Sequence, residues 1–292
     1  MKTSFYWVLA ILITLSAAYY QRKTGPTYPK QEEIQVNGTE YKLRLVRSIE
    51  LGERHYVKLG IKDSSVSATL HYRRYNVDEP YKSVGFRFEE HPINSFLMNK
   101  VFGVYKETGL FADIPPQPPA GKIEYYFEIT DGSGKTTYFE NQPIIIRFKG
   151  AVPSSILTPH IILMFTAMLL STLTGMMALG KHKRYRRWGI WTFIFLFAGG
   201  MILGPMVQYH AFGEAWAGIP FGWDLTDNKT LIAVIFWAVA VYGNRKKERP
   251  ALSILAAVIL LLVYTIPHSM FGSELDYESG EVIQGIILPI LY

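Results

Sequence analysis

Three histidines, His160, His210 and His268, stand at the edges of long apolar runs, and acids gather near two of them. Glu214, Asp224 and Asp227 lie in GPMVQYHAFGEAWAGIPFGWDLTDNK (204–229). Glu274 and Asp276 lie in HSMFGSELDYESGE (268–281). Imidazoles and carboxylates at one depth support three chemistries. His160 and His268 could ligate a b-type haem axially between helices. Two or three of the histidines with Asp224, Asp227 or Glu274 could bind a divalent metal such as zinc or copper. A polar small molecule or a quinone head group could accept a hydrogen bond from a histidine. The plainer reading is that these groups cap helix ends and face water. Asp at a helix start suits the dipole, which by itself accounts for Asp224 and Asp227.

The elements that would position these residues are membrane helices. Of the 292 residues 49% are hydrophobic, concentrated in the first 20 residues and after 153. The middle is polar and β-like, so the fold expected is mixed: a soluble β-sandwich domain over 34–150 and a helical membrane domain over 154–292. Spans are expected at about 156–179, 188–207, 229–244 and 251–267. With an N-terminal anchor over 1–20 that makes five. The anchor's apolar core is short for a span, and Ser16-Ala17-Ala18 would serve as a signal-peptide cleavage site. Tyr19 and Tyr20 favour a retained anchor with an aromatic belt. Residues 21–33 form a linker containing Pro26 and Pro29.

The net charge of +6 comes with two basic loops, Lys181–Arg187 and Arg245–Arg249. Placing both in the cytoplasm puts residues of about 21–155, the 204–229 stretch and everything after Pro267 outside. This topology makes the protein a multi-pass component of the inner (cytoplasmic) membrane and explains the charge without nucleic acid. Cysteine is absent, which excludes disulfides, Cys-ligated zinc or iron–sulfur sites and a thiol nucleophile.

In the β region, runs such as SATLHYRRY, KIEYYFEIT and PIIIRF alternate with period two and are separated by turn signals, Asn37-Gly38 and Asp131-Gly132-Ser133-Gly134 among them. They predict a sandwich similar to fibronectin type III or immunoglobulin modules, an architecture that implies no activity. His55, His71 and His91 fall in separate runs without metal spacing.

In the membrane region, Gly199-Gly200 predicts close helix approach. The apolar runs Thr230–Tyr242 and Ala251–Ile266 are short for spans, so the loop before Thr230, capped at Asp227, is expected to sit below the outer surface as one wall of a pocket. No charge falls mid-helix to mark an ion path, and no phosphate loop, HExxH or GxSxG is present. The tail EVIQGIILPILY (281–292) is too short to span and is expected to dock on the protein or a partner.

The segments RKTGPTYP, IPPQPPAGKIEYY, PHIILMFTAMLLSTLTGMMAL, GPMVQYHAFGEAWAGIPFGWDLTDNKTL and IPHSMFGSELDY resemble an uncharacterised family of multi-pass bacterial inner-membrane proteins with an exported β-domain. The similarity covers nearly the whole length. It implies a topology and no role, and it makes His210 the weakest of the three histidines, because an aromatic residue is commoner at that position. The expectation is therefore a binding or accessory component of an envelope complex, meeting another envelope protein through its β-domain. The alternatives are a structural scaffold or assembly factor, or a membrane enzyme using His268 with a carboxylate.

Overall fold

A computed structural model of the chain describes residues 3–52, 54–93, 99–268, 270 and 273–283. The expected docking of the 281–292 tail lies almost wholly outside these residues. Helices and sheets are both present, and the chain divides into two compact units. One comprises residues 27–150 with 275–280. The other comprises residues 1–26, 151–274 and 281–292.

The β unit is built from β1 (Lys30–Val36) to β11 (Ile144–Lys149). β1 and β2 (Thr39–Leu45) form a hairpin whose loop is Asn37-Gly38, both at positive φ. A two-residue turn of that kind requires such angles, and Asn-Gly adopts them at low cost. The largest sheet runs β3 (Ser48–Glu50), β11, β9 (Lys122–Asp131), β5 (Ser67–Arg74), β6 (Lys82–Gly85), with β10 (Gly134–Tyr138) folded back on β9. A three-stranded sheet runs β4 (Tyr56–Leu59), β8 (Lys106–Asp113), β7 (Arg87–Pro92). Burial alternates along β9, with Ile123, Tyr125, Phe127 and Ile129 inside, as the pleat dictates. These side chains, Leu70, Leu110 and Ile146 from neighbouring strands, and Val36 and Leu45 from the hairpin share one apolar core.

Two strands depart from the expected layout. β1 begins inside the region read as linker. β8 was not among the expected runs, because Gly109 interrupts it and Leu110, Phe111 and Ala112 are all buried in succession. A run buried on both faces carries no period-two signal.

The helical unit contains α1 (Thr3–Thr24), α2 (Ser154–Leu179), α3 (Tyr185–Phe212), α4 (Leu225–Gly243) and α5 (Pro250–Thr265). The first four are long and apolar enough to cross a membrane. α5 has 16 residues, a rise of roughly 24 Å. α1 buries Tyr6, Ala10, Thr14 and Ala17, one stripe at helical spacing. It meets α2 and α5, and its Tyr6 hydroxyl fills the space where a side chain at Gly180 would lie.

α3 is not α-helical throughout. Phe197–Leu203 is a π-helical segment, with α-helix on both sides. Its glycines let two neighbours in. A Cβ on Gly199 would lie 3.0 Å from Leu163 Cβ, and one on Gly200 would lie 2.7 Å from Thr230 Cγ2. Gly200→Val should therefore push α4 away and lower the stability of the helical unit by about 1–3 kcal/mol. Thermal unfolding in detergent followed by tryptophan emission measures it. An unchanged midpoint would show that the contact relaxes freely.

α4 starts earlier than expected. The polar residues Thr226, Asp227 and Asn228 form its first turn, and the N-cap is Asp224, not Asp227. At 19 residues α4 rises roughly 28 Å, so its length no longer demands a loop sunk beneath the surface. The hydropathy of the sequence did not show this, because a capped first turn is polar by nature.

Candidate functional site

The loop before α4 is tied to that helix by its own acids. Asp224 Oδ1 accepts from the backbone N–H groups of Thr226 at 2.8 Å and Asp227 at 3.0 Å. Asp227 Oδ2 accepts from the Ala217 N–H at 2.6 Å, and Asn228 Oδ1 from the Ile219 N–H at 2.8 Å. Both aspartates are buried. Gly218 makes this approach possible, since a Cβ there would lie 2.7 Å from Asp227 Cβ. The carboxylates are thus engaged with backbone amides. They act as staples for 217–228, which is what short acids do at a helix start. Phe221 and Trp223 project outward and are exposed.

Lys229 is the residue that the sequence did not single out. It is 5% exposed, and its Nζ donates to the carbonyl of Ile266 at 2.7 Å, with the Pro267 carbonyl at 3.4 Å. α5 ends without a glycine cap, so its last carbonyls need other donors. Lys229 supplies one, and Gln21 of α1 supplies another, donating to the carbonyl of Tyr264. The signal available in the sequence was a lysine in the second turn of an apolar helix. A charge so placed needs a buried partner.

His160, in α2, is half-buried, and its Nδ1 lies 2.9 Å from the Gly199 carbonyl in the π segment. A carbonyl only accepts, so Nδ1 carries the proton and the Nε2 lone pair is left for another partner. His268 follows the end of α5. It keeps an exposed edge while protein crowds around it. Desolvation, and after it the charges of Lys229 and His160, shift its imidazole below the usual histidine range. Lys229 reaches the two residues just before His268, since its Nζ donates to the carbonyls of Ile266 and Pro267.

The structure thus brings Lys229 to the residues just before His268, and His160 to Gly199, whose neighbour Gly200 packs on Thr230 next to Lys229. His210 ends α3 exposed, with Tyr209 edge-on at 6.0 Å, and Glu274 is half-buried in the short strand Glu274–Leu275. Among the described residues no three His, Asp or Glu side chains are arranged to hold a metal ion. Chemically the cluster offers the Lys229 amine, two imidazoles and, with Nδ1 donating to Gly199, the Nε2 atom of His160. Such a set suits an anionic or carbonyl oxygen better than a cation, which the ammonium would repel.

No family model, curated protein or solved structure matches the chain.

Proposed function

We propose that the chain is a multi-pass protein of the bacterial inner membrane, with an extracytoplasmic immunoglobulin-like β-sandwich and a polar recess at the outer end of its helices. The recess binds a small polar molecule for an envelope complex, and another envelope protein meets the β-sandwich. The observation that carries this reading is the convergence of Lys229, His160 and His268 beside a π-helical segment. π segments interrupt helices mostly at functional positions. The orientation is supported by the two basic loops, which meet where Arg186 donates to the Arg245 carbonyl at 2.7 Å. Loops rich in Lys and Arg stay in the cytoplasm.

The ligand is expected to present a carbonyl or carboxylate oxygen to Lys229 and a proton to His160 Nε2. A hydroxy acid has that chemistry, and a quinol head group has its equivalent, with one hydroxyl oxygen accepting from Lys229 and the other hydroxyl donating to His160. Haem is the second reading, favoured by one detail: an axial histidine commonly donates its Nδ1–H to a backbone carbonyl, as His160 does to Gly199.

The detergent-purified chain separates the two by mass spectrometry of what it retains, together with its absorption spectrum and metal content. His160→Ala and His268→Ala should each weaken retention of the organic ligand about five- to tenfold, the worth of one hydrogen bond. A Soret band would overturn the organic ligand in favour of haem. Stoichiometric zinc or copper would do so in favour of a metal. No retained molecule, no metal and a blank spectrum would sink the recess as a binding site.

A further inference from the structure

A cavity lies within the helical unit at the end where the basic loops meet, and no histidine lines it. It opens to the surface, is bounded by α3, α4 and the start of α5, and has a volume of about 380 Å³, within the range of small-molecule sites. Its composition is divided. Ile190, Phe193, Val241 and Trp237 make an apolar wall, and Arg186 and Arg245 stand at the charged end. Neither guanidinium has an ion-pair partner among the described residues. Arg186 is oriented by its bond to the Arg245 carbonyl. The turn carrying Arg245 is fixed by Asn244, whose buried side chain bonds Tyr185, the Ala240 carbonyl and the Arg249 N–H.

The apolar wall is closely packed behind its surface: Trp237 is fully buried, and Gly189 gives its ring a place, since a Cβ there would lie 3.2 Å from Trp237 Cζ3. Two arginines beside an apolar wall describe a ligand with an anionic head and a hydrocarbon tail. A phospholipid has both parts. Basic pockets between membrane helices bind such head groups.

We propose that this cavity binds an anionic phospholipid, with the phosphate on Arg186 and Arg245 and one acyl chain along Ile190, Phe193 and Val241. The proposal needs only that the helices lie in a bilayer. It is independent of the ligand assigned to the histidine recess.

The test is native mass spectrometry of the full chain released from nanodiscs of equal phosphatidylglycerol and phosphatidylcholine. The chain should retain phosphatidylglycerol preferentially. Arg186→Gln with Arg245→Gln should reduce that retention by about tenfold or more. Arg245→Gln alone, at an exposed position, should reduce it severalfold while leaving the unfolding temperature unchanged, which keeps the outcome readable if the double variant does not fold. Lys183→Gln, an exposed change outside the cavity lining, should retain the lipid fully. Equal retention of both lipids, or equal loss in Lys183→Gln, would overturn the site. Occupancy by inorganic phosphate with no preference between lipids would assign the arginines to a free anion and overturn the lipid assignment.

Discussion

Phe127→Ala will cost the β unit about 3–5 kcal/mol, the loss for a large aromatic truncated in a closed core. Phe127 is fully buried on β9, the strand flanked by β11, β5 and β10. Its ring stacks on Tyr138 at 5.5 Å and lies 5.9 Å from Phe139. The opposite residue on β5 is Leu70, itself fully buried. No neighbour can fill the gap without leaving its own rotamer. All six tryptophans lie in the helical unit, so two signals separate the effect. Strand loss by far-UV circular dichroism should move to lower temperature, while tryptophan emission keeps its midpoint. If both midpoints fell together, the β core would not be an independent source of stability.

Lys229→Met should cost the helical unit about 1–3 kcal/mol, the penalty for removing the closest donor to the Ile266 carbonyl, which Gln21 Nε2 reaches only at 3.5 Å. Removing a buried ammonium relieves its own desolvation, which lowers the figure below that for a fully paired ion. Methionine keeps the length of the side chain, so packing is nearly conserved. The tryptophan transition should fall and the strand transition should stay. Lys229→Arg keeps the charge, but its planar fork is bulkier, and partial recovery is expected. A loss under about 1 kcal/mol would show that other donors serve the end of α5. On the function proposed above, retention of the organic ligand should also fall in Lys229→Met even at temperatures where the unit is folded.

Much of this architecture could be read from residue pattern. β9 and β5 announced themselves by alternation, and Asn37-Gly38 by the angles its turn requires. The apolar runs of α2 and α3 stood out by length. Three features were hidden for physical reasons. The start of α4 is polar because caps are polar, so hydropathy placed it too late and assigned the cap to Asp227 when Asp224 makes it. The role of Lys229 depends on α5 ending beside it, a tertiary relation that no local window contains. The π segment is stabilised by what Gly199 and Gly200 admit from α2 and α4, and a glycine pair alone says only that something comes close. The site shows the same division. His160 and His268 were visible as histidines at span ends, whereas the lysine that bonds the end of α5 and the carbonyl that fixes His160 were not.

The π segment of α3 has a further consequence for how this helix tolerates change in length. Each π turn holds about one residue more than an α turn, so Phe197–Leu203 amounts to an insertion that the helix has absorbed without altering the phase of its flanks. Elsewhere in α3, deleting a residue would rotate everything downstream by about 100° and turn a buried face outward. Within Phe197–Leu203, the same deletion restores α-helical spacing and leaves Tyr185–Leu196 and Gly204–Phe212 facing as they do now. What disappears is the widened turn that presents the Gly199 carbonyl to His160. The proton position of that imidazole is therefore set by a single extra residue in a neighbouring helix, and a one-codon change could release it while the span stays intact.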